Sequence, residues 1–157
     1  MNIFLVALND ADLKAVYEFE KMNRAYFARF IPDRGDDYFE QDFFREQYQY
    51  LLNEQLEGQS EFYLIKNDRG RVIGRMNVVE IKNARGFLGY RIGESDAGKG
   101  VASTALEQLL RKDLSVTRMI GKTTPDNIGS QRVMEKNGFR RTHEDDDFVY
   151  FEWMKMS

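Results

Sequence analysis

The sequence predicts an α/β domain in which a mixed, mostly antiparallel sheet carries helices on both faces. Three observations predict it. Apolar residues recur at helical spacing through the first third of the chain, then switch after Gly58 to the period-two alternation of strands. From there strands and helices interleave to the end, with no internal repeat, low-complexity run or linker, so residues 1–157 read as one domain. Finally, a short strand around Leu88 to Ile92 runs through a glycine-rich turn directly into a helix with an apolar face.

The elements follow in order. Ile3 to Leu8 reads as a short buried strand. Asn9 and Asp10 offer N-caps for a helix carrying Leu13, Val16, Tyr17, Met22, Tyr26 and Phe27 at helical spacing, broken by Pro32 and Gly35. Asp37 followed by Glu40 has the form of a capping arrangement, opening a second helix with Phe43, Phe44, Tyr48, Leu51, Leu52 and Leu56. Gly58 ends it. Phe62 to Ile65 and Val72 to Ile81 read as strands joined by the turn Asn67 to Gly70. Phe87 to Ile92 is the next strand, after a turn at Asn83 to Gly86. A third helix places Val101, Ala105, Leu106, Leu109 and Leu110 on one face. Val116 to Lys122 forms a strand, Pro125-Asp-Asn127 starts a fourth helix, and Asn137-Gly138 stops it. Phe139 to Thr142 and Phe148 to Met156 close the sheet around an acidic turn.

Composition narrows the chemistry. The 157 residues are 42% hydrophobic and 31% charged, an ordinary globular balance that can bury a core without staples. The absence of cysteine excludes disulfides, thiol catalysis and cysteine-ligated zinc, and suits a cytoplasmic protein. With His143 the one histidine, a histidine-cluster metal site is excluded too, and no metal is expected. The start, Met1-Asn-Ile-Phe4, lacks a signal-peptide pattern, and no apolar run approaches a membrane span. A net charge of −3 without a basic cluster argues against nucleic acid as a partner.

The glycine-rich turn carries the functional signal. Gly98 and Gly100 leave backbone N–H groups unshielded at the positive end of a helix dipole, the arrangement a phosphate needs. Gly93-x-x-x-x-Gly98-Lys99 nearly spells a nucleotide P-loop, but Gly100 stands where a hydroxyl must hold Mg²⁺. Glu94 and Asp96 would also oppose a triphosphate. Gly98-x-Gly100 lacks the third glycine of a dinucleotide fingerprint, with Ser103 in its place.

The segment Ala97-Gly98-Lys99-Gly100-Val101-Ala102 resembles the pyrophosphate loop of the GNAT superfamily of N-acetyltransferases, departing at Ala97, where Gln or Arg is usual. Asn127-Ile-Gly-Ser130 followed by Glu135-Lys136-Asn-Gly138-Phe139 resembles the superfamily's downstream helix, with room for one helix and one strand between the motifs. Together with Leu88-Gly-Tyr90, the pattern is most similar to the ribosomal-protein alanine N-acetyltransferase branch. The resemblance covers essentially the whole chain.

That resemblance implies an acetyl-CoA-dependent transfer of an acetyl group to a primary amine, either a protein N-terminus or a small amine. It implies a splayed central strand pair, with strand 87–92 leaving strand 116–122 just after Ile92 and pantetheine lying in the gap. The expected cofactor contacts are Ile92, Gly98, Lys99, Gly100, Val101, Ala102, Ser103, Asn127 and Ser130. The backbone N–H at Ile92 or a neighbour would polarise the thioester carbonyl.

The chemistry needs a neutral amine and a proton for the departing thiolate. Gly86-Phe87-Leu88 stands where many relatives carry a strand glutamate, and Met134 where many carry a tyrosine. Ser130, which the resemblance implies faces the thioester sulfur, is the candidate acid or thiolate donor, and Glu80, on the adjacent strand, is the first candidate base, with Glu94 and His143 behind it. On the side where the resemblance implies that the acceptor enters, Tyr26, Phe27, Phe30, Phe39 and Phe43 make the segment aromatic-rich. Most of the rings read as core by helical spacing and a few could line a substrate slot, while the acidic turn Glu144 to Asp147 could draw in a cationic amine. A non-catalytic acyl-CoA-binding sensor or scaffold is the alternative, and a monomer or homodimer is compatible with the chain.

Overall fold

The first strand, β1 (Ile3–Ala7), buries Ile3 and Leu5 on one face, while on the other Val6 packs against the second core and Phe4 is exposed. Asn9 accepts a hydrogen bond from the Asp12 amide, but what it caps is a one-turn 3₁₀ segment, Asp10–Asp12. The α-helix α1 (Leu13–Met22) follows. The single long helix expected through Phe27 is interrupted at Asn23, after which α2 (Arg24–Phe27) runs for one turn. The interruption has a use: the Asn23 side chain donates to Phe19 O and accepts from the Glu94 amide, tying the helix to a distant loop.

The capping residue of α3 (Gln41–Leu56) is Glu40, whose carboxylate accepts from the amides of Asp42 and Phe43 at 3.0 and 2.9 Å. Asp37, expected to cap, lies one turn earlier in a 3₁₀ segment. The strands β2 (Glu61–Asn67), β3 (Val72–Lys82) and β4 (Arg85–Ile92) then form a meander. Asn83 and Ala84, both left-handed at φ 54° and 60°, make a two-residue hairpin, tighter than the expected turn through Gly86. Next come α4 (Val101–Leu110), β5 (Arg118–Thr123), α5 (Ile128–Lys136), β6 (Arg140–Glu144) and β7 (Val149–Met154). Strand β5 begins two residues later than the alternation suggests, because Val116 is a fully buried core residue preceding the ladder.

The computed structural model describes residues 2–156. Met1 and Ser157, the ends of the expected domain, lie outside the described residues. The seven strands are ordered β1-β2-β3-β4-β5-β7-β6, with β4 and β5 the parallel pair and every other pairing antiparallel. Helices α4 and α5 cover one face, over a core that includes Met76, Val78, Leu106, Met119 and Met134. Helices α1 and α3 cover the other, with Val16, Phe44, Tyr48 and Leu64. The mixed α/β architecture expected from the sequence is the one observed.

Two details correct the expectations and shape the site. The β4–β5 ladder holds only from Arg85–Arg118 to Phe87–Ile120, so the strands part after Phe87 rather than after Ile92. The β3–β4 register slips between Val79 and Lys82, which puts Glu80 in a bulge at φ 53°.

Candidate functional site

Beyond Phe87, strand β4 runs beside β5 without a ladder, leaving a gap whose β4 edge carries free backbone groups. The direction of those groups follows from strand alternation. Gly93 N donates to Ile73 O at 2.9 Å, toward β3, so the N–H groups of Ile92, Tyr90 and Leu88 point the other way, into the gap. The Ile92 amide therefore points away from β3, into the gap.

At the end of β4 the chain passes a 3₁₀ turn, Glu94–Asp96, and reaches the loop into α4. Gly98 and Gly100 sit at φ 75° and 83°, a region that excludes most side chains, and the space where a Cβ would stand is open at both. Gly100 occupies the N-cap of α4 without any side-chain cap, and the first amide bonded back into the helix is Thr104 N. The first-turn amides of Val101, Ala102 and Ser103 therefore face an uncrowded loop at the positive end of the dipole. The Val101 side chain is core, at 4% exposure, so its backbone alone faces the loop. Lys99 is exposed. Ser103 Oγ accepts a hydrogen bond from Asn137 Nδ2 at 3.2 Å, which joins the start of α4 to the end of α5.

Across the gap, Asn127 caps α5, its Oδ1 accepting from Ser130 N at 3.1 Å. That places Ser130 on the first turn of α5, where its hydroxyl meets the Tyr90 hydroxyl at 2.7 Å. Burial pushes the Tyr90 phenol pKa up, and the Ser130 hydrogen bond offsets part of the rise. Tyr90 was legible as part of Leu88-Gly-Tyr90, but nothing in that spacing says that its ring crosses to α5. Met134, in the place where a tyrosine is common, is 1% exposed and packed into the core. Gly121 makes this possible: a Cβ there would lie 2.5 Å from Met134 Sδ.

The other candidates do not converge on this point. Tyr90 is paired with Met76 in the ladder, and Glu80 lies four residues further along β3, about 13 Å away at ~3.3 Å per residue. Glu80 is also exposed. The structure does not bring it to Ser130, because the bulge and the hairpin carry it to the closed end of the strand pair. Glu94 is exposed on the 3₁₀ turn. His143 stacks on Tyr150 with ring centroids 4.3 Å apart, in the hairpin of β6 and β7. In that hairpin Asp145 is spent on the turn itself, accepting from the amides of Asp147 and Phe148 and from the Tyr150 hydroxyl. The two amide bonds are the main reason its carboxyl is held below the usual range.

On the opposite face of the sheet, beneath α1 and α3, lies a cleft of about 370 Å³. Its wall includes Tyr38, Glu54, Asn77, Gly89, Tyr90 and Arg91. None of Tyr26, Phe27, Phe30, Phe39 and Phe43 lines it; Phe27 is core, as helical spacing suggests, while Phe30 and Phe43 are exposed. Under the cleft, the buried Glu20 accepts from Arg75 at 3.3 Å and from Arg91 at 2.6 Å. Sequence reasoning missed this cluster, although Arg75 and Arg91 each interrupt an apolar strand and Glu20 shares the inward face of α1 with Val16. Among the described residues no group of acidic or histidine side chains could hold a metal ion, and no helix is long and apolar enough to cross a membrane.

Residues 2–140 match the family model described as an acetyltransferase (GNAT) domain. The chain is 27% identical over 148 residues to the probable N-acetyltransferase YjcK of Bacillus subtilis (strain 168), covering 88% of this chain and 81% of that protein. Its fold is shared by the ribosomal-protein-S5-alanine acetyltransferase of Vibrio fischeri, with a TM-score of 0.90, 16% identity, and 99% and 94% of the two chains covered. It is shared also by the spermidine N-acetyltransferase of Vibrio cholerae in complex with CoA and spermine, with a TM-score of 0.78, 16% identity, and 98% and 96% covered.

Proposed function

Since the chain belongs to the acetyltransferase (GNAT) domain family, whose members are acetyl-CoA-dependent acetyltransferases, we propose that it acetylates a primary amine by direct attack on the thioester. The acceptor is a small amine or a protein N-terminus. The observation that carries this reading is the gap between β4 and β5, with the open glycine loop at one end and the Tyr90–Ser130 hydroxyl pair across it. The residues present fit a pantetheine-bearing donor: a strand edge with free amides, and a helix start with no side-chain cap for the pyrophosphate.

Acetyl-CoA supplies the activated acetyl group. In this reading the amides of Val101, Ala102 and Ser103, with Gly98, Lys99 and Gly100, hold the pyrophosphate. The Ile92 N–H donates to the thioester oxygen as negative charge grows there. Ser130, kept in place by the Asn127 cap and joined to Tyr90, passes a proton toward the leaving sulfur. The raised pKa of Tyr90 keeps its phenol protonated in the working range, so the pair holds that proton in reserve. The amine enters from the cleft on the α1–α3 face, whose wall shares Tyr90 with the gap.

The test is thiol release from acetyl-CoA in the presence of a panel of amines and N-terminal peptides. Acceptor-dependent release is expected; protein that binds acetyl-CoA yet releases thiol with none of them overturns the reading.

A further inference from the structure

The acceptor cleft carries a charge pattern that acetyl transfer by itself does not call for. Arg34, Arg75 and Arg91 all line it, against one lining carboxylate, Glu54. Beneath them Glu20 has both oxygens engaged, Oε2 by Arg75 and Oε1 by Arg91. One carboxylate therefore serves two guanidiniums whose side chains are only 7% and 19% exposed. Surplus positive charge held so far from water is costly unless an anion shares the site.

Arg34 adds a third guanidinium. It lies over the Tyr38 ring, 5.0 Å from the centroid, and has no ion-pair partner among the described residues. Burial pushes the Arg91 pKa down; the Glu20 carboxylate opposes the fall, and the charges of Arg75 and Arg34 add to it. Glu54 forms no ion pair with any of them; its Oε2 accepts the Ser60 hydroxyl instead. In the same wall Asn77 has a buried Oδ1 with no hydrogen-bond partner. The cleft thus offers surplus N–H donors on a cationic wall, and one acceptor still unmet.

Resting on the proposed acetyl transfer, we propose that the acceptor is a primary amine bearing a carboxylate, and that Arg34, Arg75 and Arg91 hold that carboxylate. Guanidinium forks match a carboxylate in plane and spacing, which a point charge does not. The shared chemistry has two sources, a free α-amino acid or a protein N-terminus followed by an acidic residue. A polyamine is disfavoured, because its second ammonium would face the same guanidiniums.

The experiment measures acetyl-CoA-dependent thiol release by the full chain with matched probes. One pair is L-phenylalanine and L-phenylalaninamide. The other is a C-terminally amidated peptide beginning Ala-Glu and its Ala-Gln twin. Spermidine is the cationic comparison. The carboxylate member of at least one pair is expected to show kcat/KM about tenfold or more above its neutral twin, with spermidine below both. Phenylalaninamide has the less basic amine, so chemistry alone favours the amide and the expected order runs against that bias. The pair that discriminates identifies the source. Arg34→Gln, at an exposed position, is expected to raise KM for the carboxylate probe and bring the ratio within about threefold.

Equal rates within both pairs, or a preference for spermidine, overturns the proposal, and an unchanged ratio in Arg34→Gln removes Arg34 from it. Failure of every amine to elicit thiol release ends the acetyl-transfer reading instead. The anion site is then decided by calorimetric titration of CoA-loaded protein: tighter binding of L-phenylalanine than of its amide supports it, and equal or absent binding overturns it.

Discussion

Tyr90 on β4 and Ser130 on the first turn of α5 meet hydroxyl to hydroxyl at 2.7 Å, spanning the opening between strands that are no longer paired. Tyr90 faces the side of the sheet that α5 covers, and the Asn127 cap sets the start of that helix.

A pair acting as one proton reserve makes a kinetic prediction. Ser130→Ala and Tyr90→Phe are each expected to lower kcat by about a hundredfold, within the usual range for general acid catalysis, with a smaller change in KM. The double variant should lose little more than either single one. Steady-state kinetics with saturating acetyl-CoA checks this, and additive losses would separate the two roles.

Gly100→Glu places a carboxylate and a Cβ in the open loop at a left-handed position. Affinity for acetyl-CoA is expected to fall on the order of a hundredfold, about 3 kcal/mol. Calorimetric titration measures it, and a thermal melt of the same sample reports the fold separately. Gly98→Pro is expected to act in the same direction by fixing φ near −65° where the loop needs 75°.

Removing the carboxylate of Glu20 leaves Arg75 and Arg91 sharing a poorly exposed site without their anion. Glu20→Gln is expected to destabilise the fold by about 3–5 kcal/mol, the usual cost of breaking a buried charge cluster from one side. Denaturant unfolding gives the value.

Tyr48 supplies a pH prediction. Its hydroxyl donates to Asn9 O, and burial, foremost among the causes, pushes its pKa up to about 12. The folded state favours the neutral phenol, so the associated stability is complete below about pH 10, the ordinary value in an unfolded chain. It is lost as pH rises through about 12. Stability measured by denaturant should therefore fall across that window, and Tyr48→Phe should lessen the slope.

Glu80 occupies a left-handed position in the β3 bulge, exposed and far along the strand from Tyr90. Glu80→Gly is expected to stabilise by roughly 1 kcal/mol, by relieving that strain. Glu80→Gln should leave kcat/KM within about twofold, as for other surface changes. A large loss of turnover in Glu80→Gln would restore Glu80 as the candidate base.

The position of Glu80 shows where sequence reasoning stops. Strand identity and order were legible from alternation, and the glycine loop from its position between strand and helix. A bulge is not, because it depends on one unpaired residue opposite a hairpin whose left-handed pair, Asn83 and Ala84, lacks the glycine that marks such turns. The Glu20 cluster was hidden for another reason. Charged residues at alternate strand positions read as a solvent face, and only the packing of α1 against β3 and β4 turns Arg75 and Arg91 into an inner wall. The cap at Glu40 was missed by one turn because Asp37 satisfies the same local pattern.

The short ladder between β4 and β5 has a mechanical consequence. Three residue pairs, from Arg85–Arg118 to Phe87–Ile120, are the backbone seam joining a leaf of four strands to a leaf of three. Beyond it the leaves are joined through side-chain packing, Met76 and Val78 of one sharing a core with Met119 and Phe151 of the other. A donor seated along the free edge of Leu88 to Ile92 would brace the leaves and slow amide exchange on that edge. The acceptor cleft draws Gly89, Tyr90 and Arg91 from the same stretch of the same leaf. A donor along that edge and an amine in the cleft would thus act on the two sides of one strand.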